Sequence, residues 1–169
     1  MALFRGFRRH LRFPLIRIDD RLIHGQIVLG WAEPLHIRRL VLAHDGIAQD
    51  DNLREAIAAT VPTQFDFSVL TIEDTIAAVN DHKLSKRLMV VTESPGSVMA
   101  MWEQGAGINS INIGGLHYRD DRIELLPYVF LSPGELNQIT ELVKSGVDVY
   151  CQDLPNSPLS PWNKLLEKL

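Results

Sequence analysis

The sequence lacks most of what stabilises small secreted or membrane-embedded chains. It has one cysteine, Cys151, among 169 residues. That excludes an internal disulfide framework and any multi-cysteine zinc or iron–sulfur centre, and it fits a reducing compartment. No uninterrupted apolar run approaches the roughly 20 residues needed to cross a bilayer as a helix. The arginines near the start are not followed by an apolar stretch, so no secretory signal is expected. Internal repeats, low-complexity tracts and a second-domain linker are absent. An excess of positive charge is missing too. The chain has 17 Lys+Arg against 21 Asp+Glu and a net charge of −4, which argues against a dedicated nucleic-acid partner.

What is present is ordinary globular material, 46% hydrophobic and 22% charged. A chain of this length forms one domain and buries roughly 70% of its unfolded surface. The charge is unevenly placed. Residues 1–14 hold Arg5, Arg8, Arg9 and Arg12 and no acid, so the other 155 residues carry the remaining 13 bases and all 21 acids. Two regions are therefore expected. Residues 1–14 form a basic extension, either disordered or a basic amphipathic arm, and 15–169 form the domain.

Within the domain, short and nearly continuous apolar runs read as strands covered on both faces. They are 15–19, 40–45, 67–71, 88–92, 110–114 and 147–151. Segments of helical period lie between them, at 25–32, 50–61, 72–80 and 97–105. Thr71 is placed to cap the third of these. Ser132-Pro-Gly-Glu135 is a capping box that opens a helix running to Lys144, with Gly146 as its stop. A last helix follows Ser160-Pro161. Residues 123–131 interrupt the rhythm and read as irregular chain or a hairpin. Strand–helix alternation predicts an α/β domain with an open, mostly parallel sheet and helices on both faces. In such sheets ligands bind beyond the carboxyl ends of the strands. That rule selects 19–24, His44–Asp45, 92–94 and Gly114–Gly115.

The first of these loops carries the chemistry. Arg17-Ile-Asp-Asp-Arg-Leu-Ile-His24-Gly-Gln26 places two arginines, two aspartates and a histidine between a strand and a helix. A helix start offers free amides and a positive dipole end to a phosphate. Gly25 permits close backbone approach, and Arg21 offers a planar fork of donors. An aspartate beside an imidazole holds one ring N–H and leaves the other nitrogen free to attack. The residues alone also describe a strand-end loop tied by Arg–Asp pairs, with His24 as a structural hydrogen-bonder, and without more than these residues that is the reading to prefer.

Ile16–Gln26, IRIDDRLIHGQ, resembles the signature of the EIIB subunit of the mannose/fructose/sorbose family of the bacterial sugar phosphotransferase system. Trp31 falls where that family has a tryptophan. Asp45–Ala58 resembles its second strand–helix unit, Ser110–Gly115 its Asn-x-Gly-Gly segment, and Leu131–Val149 the helix–Gly–strand unit that follows. The resemblance covers about residues 15–155. It departs at His44-Asp45-Gly46 and at Val61-Pro62-Thr63, where members often have an acidic pair and a Pro-Pro-Gly-like turn. The resemblance implies that His24 accepts a phosphoryl group at Nδ1 from phospho-EIIA. His24 then passes it to a sugar held by membrane EIIC/EIID, with Arg21 important for that onward step. Asp19 and Asp20 match the motif acids, while Arg17, Gly25, Gln26, Gly114 and Gly115 are candidate phosphate-pocket residues. It implies no metal and no cofactor, a cytoplasmic protein recruited to the inner face of the membrane by transporter subunits, and room for a homo-oligomer. Ile23, Leu22 and Trp31 are candidates for a docking rim, with a buried helix face as the other reading of Trp31. The alternatives are a regulatory phosphorelay protein using the same histidine, and a binding module with a degenerate site.

Overall fold

Strand β1 (Leu15–Asp19) is buried along its whole length, which places it inside a sheet rather than at an edge. The computed structural model describes residues 11–167. In chain order β1 is followed by a π-helix (Gln26–Ala32), β2 (Arg39–Ala43), α1 (Asp45–Ala48), α2 (Asp51–Ala58), β3 (Asp66–Leu70), α3 (Ile72–Asn80) and β4 (Leu88–Thr92). Next come α4 (Pro95–Glu103), β5 (Ser110–Gly115), β6 (Ile123–Leu126), β7 (Val129–Leu131), α5 (Pro133–Lys144), β8 (Asp148–Cys151), β9 (Ser160–Pro161) and α6 (Trp162–Leu166). The main sheet has the order β3-β2-β4-β1-β5-β8-β9, parallel except for the two-residue edge strand β9. Strands β6 and β7 form a separate antiparallel hairpin. The α/β expectation, an open and mostly parallel sheet in a single domain, is met.

Period-2 alternation distributes β1 between two cores. Ile16 and Ile18 join the side packed by α3, α4, α5 and α6, with Val98, Met101, Ile139, Leu142 and Trp162. Leu15 faces the other side, where the π-helix supplies Ile27, Val28 and Trp31. Helices therefore cover both faces. Helix α2 contributes no buried residue.

Local signals behave as read. Thr71 Oγ1 accepts from the Asp74 amide at 3.0 Å. The Ser132/Glu135 capping box is closed in both directions, and Gly146 turns left-handed at φ 93°. Two details differ from expectation, and at a third the structure selects one of two open readings. The 25–32 helix is π-helical, with Glu33 N donating to Val28 O at 3.1 Å. The 50–61 helix is shorter and is preceded by a one-turn helix that His44 caps, its Nδ1 accepting from Ile47 N. The hairpin reading of 123–131 replaces the irregular one. The first ten residues of the expected 1–14 extension lie outside the described residues, while Leu11 and Phe13 pack beside the π-helix core.

Candidate active site

The chain leaves β1 at Asp19, between the central neighbours β4 and β5. The connection after β1 runs toward β2 and the one after β5 toward β8. This divergence opens a crevice at the carboxyl ends of the strands. Leu22, at φ 60°, donates its amide to Asp19 O at 3.0 Å and so makes a tight turn. A left-handed leucine is strained, and here it folds His24 back over Asp19.

Asp19 is the hub, with no exposed side chain. Arg17 Nη2 donates to Oδ2 at 2.9 Å, Arg21 Nε to Oδ1 at 3.0 Å and Arg21 Nη2 to Oδ2 at 3.0 Å. His24 Nε2 lies 3.2 Å from Oδ2. Burial alone would raise the Asp19 carboxyl. The hydrogen bonds from His24 and Arg21 and the charge of Arg17 outweigh it and hold the carboxyl well below the usual carboxylate range. An ionised carboxylate only accepts, so Nε2 carries a proton and the lone pair of neutral His24 sits on Nδ1. Among the described residues nothing hydrogen-bonds to Nδ1. Arg21 Nη2 and His24 Nε2 share one oxygen, so they lie within about 6 Å of each other. The His24 side chain is 20% and that of Arg21 34% exposed. The arrangement is an oriented, accessible imidazole nitrogen beside a half-exposed guanidinium.

Arg17 takes a different place from the expected one. It is wholly buried, so it does not reach a phosphate at the surface. Its guanidinium donates to Asp19, to Asn112 Oδ1 and to the Gln152 and Asp153 carbonyls, and stacks over Trp31 at 4.7 Å. Desolvation disfavours its charge, and Asp19 is its ionic partner. Gly114 makes room for it, because a Cβ there would sit 1.8 Å from Arg17 Cζ. The β1–β5 register shifts at this point, where Ile18 pairs with Ile113 but Asp19 with Gly115. Gly115 lies closer to the crevice, and its Cβ would come 3.1 Å from Asp19 Oδ1 and 3.2 Å from Arg21 Nη2. Both glycines thus shape the arginine–aspartate stack from below.

Asp20 also departs from the expected position. It turns away from His24, accepting from His117 N at 2.8 Å and from Arg122 Nη1 at 3.3 Å, with His117 Nδ1 at 2.5 Å from its Oδ1. Arg122 continues to Glu135 at the start of α5. Asp20 is therefore a tether between the site loop and the hairpin. Gly25 and Gln26 are exposed beside His24, ahead of the first intrahelical bond, which Ile27 donates to His24 O. Trp31 is fully buried and donates Nε1–H to Asp153 O at 2.7 Å, so it is no part of a docking rim. Ile23 does line an apolar groove of about 390 Å³ with His24, Gly25, Val28, Leu29 and Pro62. Leu29, 62% exposed, is the rim residue that sequence reasoning missed. Asn112, Gln152 and Arg122 were missed as well. Of these only Asn112 left a signal, a polar residue inside an apolar strand. Among the described residues no group of three or more His, Cys, Asp or Glu is arranged to hold a metal ion.

The profile of a family described as "PTS system sorbose subfamily IIB component" matches residues 13–169. The chain belongs to this family. The PTS is the sugar phosphotransferase system, and its IIB components are phosphotransferases that work with EIIA and EIIC/EIID partners. The IIB chain described here is accordingly a phosphotransfer component of sugar transport. It is similar to the N-acetylgalactosamine-specific phosphotransferase enzyme IIB component 1 of Escherichia coli (strain K12), 28% identical over 142 residues, 83% of this chain and 90% of that one. Similarity to the sorbose-specific EIIB component of Klebsiella pneumoniae is also 28%, over 149 residues, 88% and 91% of the two chains. The solved IIBSor domain of the sorbose permease from Klebsiella pneumoniae superposes with a TM-score of 0.81 at 26% identity, covering 91% of this chain and 95% of that one. No helix among the described residues is long and apolar enough to cross a membrane.

Proposed function

We propose that His24 is the phosphorylated residue of this IIB component. One observation carries the reading: Asp19 holds Nε2 through its proton, so the free nucleophile is Nδ1. In the first step the N–P bond on a donor EIIA phosphohistidine breaks as a bond from His24 Nδ1 to phosphorus forms. The ring keeps its Nε2 proton as the new bond forms and so becomes cationic. That charge is shared with the Nε2–H, where the buried Asp19 carboxylate compensates it. In the second step a hydroxyl of a sugar bound by EIIC/EIID attacks phosphorus, the N–P bond breaks, and the hydroxyl proton is released. Arg21 accompanies the phosphoryl oxygens through both steps, because phosphoryl transfer depends on positioning and charge neutralisation. Gly25 and Gln26, exposed beside His24, offer their amides to the same group. Arg17, Gly114 and Gly115 act through Asp19 rather than on the phosphate. The apolar groove bounded by Ile23 and Leu29 receives the partner proteins, and the chain works in the cytoplasm beside the membrane subunits.

The test is labelling with radioactive phosphoenolpyruvate in the presence of the general upstream proteins and EIIA. Acid-labile phosphate is expected on the wild-type chain and none on His24→Ala. Equal labelling of that variant would overturn the assignment.

A further inference from the structure

A second cavity, of about 780 Å³, lies away from His24, where Arg38, Arg39, Lys83, Lys86 and Arg87 converge around Phe13. Its position follows from the register. Arg39, Asp66 and Leu88 are the first residues of β2, β3 and β4, and Arg39 pairs with both of the others. In a parallel sheet that end is opposite the one carrying Asp19. The backbone there is knitted together, with Arg38 N donating to Arg87 O and Asp66 N to Arg38 O. Arg87, at φ 60°, is pinned by Nη1 donating to Leu35 O at 2.7 Å, and its guanidinium lies 5.8 Å from the Phe13 ring. Arg39 is paired with Asp66, the one carboxylate among the lining residues. The side chains of Arg38, Lys83 and Lys86 make no hydrogen bond or ion pair with another described residue.

Five cations facing one acid in a concave space focus a positive potential. The volume lies in the range of small-ligand sites, and unpaired Arg and Lys side chains suit phosphate oxygens. We propose that this cleft is an anion site for a phosphate-bearing ligand with at least two phosphate charges, separate from the His24 centre. Concavity favours a headgroup-sized or free ligand that enters the cleft over a flat surface that only touches its rim.

Titration calorimetry of the full chain with sodium pyrophosphate tests this. Saturable binding is expected, equal in wild type and His24→Ala. It should weaken at least tenfold in Arg38→Ser/Lys86→Ser, and less than twofold in Lys144→Ser/Lys164→Ser, which removes the same charge elsewhere. All four of these side chains are exposed, so the variants keep the fold. No saturable binding, equal loss in both double variants, or loss with His24→Ala overturns the proposal. Sedimentation with cardiolipin/phosphatidylcholine vesicles, whose anionic headgroup carries two phosphates, separates the sources. Vesicle binding that pyrophosphate displaces identifies a lipid headgroup as the ligand, and pyrophosphate binding without vesicle binding identifies a soluble one. Vesicle binding that pyrophosphate leaves untouched overturns the cleft in favour of a flat surface.

Discussion

Replacing Asp19 with asparagine keeps the shape of the side chain and removes the charge on which three donor side chains converge. Its buried counter-ion Arg17, at 2.9 Å, is then left without an anion. Breaking a buried pair from one side costs about 3–5 kcal/mol. Arg17 keeps its bonds to Asn112, Gln152 and Asp153 and its stack on Trp31, so the lower end, about 3 kcal/mol, applies. For a domain of this size each kcal/mol moves the melting temperature by roughly 2–4 °C, which predicts a drop of about 6–12 °C. The stability difference has a pH signature. The Asp19 carboxyl is lowered in the folded chain from its ordinary value of 3.8. Its contribution is therefore complete well above that value and is lost as pH falls through the folded value. The gap between wild type and Asp19→Asn should be constant above about pH 5 and shrink from about pH 4 downward. On the proposed role of His24, function should fall as well, because a neutral amide no longer fixes the Nε2–H tautomer or balances the charge of a phosphorylated ring. A loss of about 100-fold in transfer from phospho-EIIA is expected, read by rapid quench. A melting shift under about 2 °C with an unchanged transfer rate would refute the hub role of Asp19.

Asp20→Asn should lower the transfer rate far less than Asp19→Asn, since it only loosens the tether to His117 and Arg122. Its cost, about 1 kcal/mol, is read from denaturant midpoints. Gly114→Ala drives a methyl into Arg17 and should cost about 3 kcal/mol, whereas Gly25→Ala meets no atom within 4 Å and should melt within about 2 °C of wild type. Burial pushes the Cys151 thiol up to about 12. Alkylation by iodoacetamide at pH 8 should leave the native chain unmodified and label one thiol in denaturant, as followed by mass spectrometry.

Those elements whose signals are local could be read from the chain. Helix α3 begins at the residue after Thr71 because the threonine hydroxyl satisfies a first-turn amide, and α5 is bracketed by its capping box and Gly146. Boundaries failed where the deciding contact is distant or subtle. The histidine cap on α1 and the two-residue strand β9 belong here, the latter existing only because β8 is there to pair with it. At the site the motif identified the loop but not the division of labour within it. Asp19 and Asp20 are adjacent in sequence, and successive side chains leaving a strand point to opposite sides. One therefore reaches His24 and the other His117. Arg17 reads as a phosphate ligand by its nearness in sequence, yet it sits two residues before Asp19 on the same face and is packed against Trp31.

By itself the sequence determined the α/β class, through apolar runs alternating with helical periods. It also determined the family, through IRIDDRLIHGQ, and the identity of His24 and Arg21 as the pair to consider, because these signals lie within a few consecutive residues. Only the tertiary structure decided which acid orients His24 and which of its nitrogens is free. It also decided that Arg17 and Gly114 lie beneath the site rather than in it. Each of these depends on β1 and β5 being side by side, a contact between segments about 95 residues apart that no local pattern encodes.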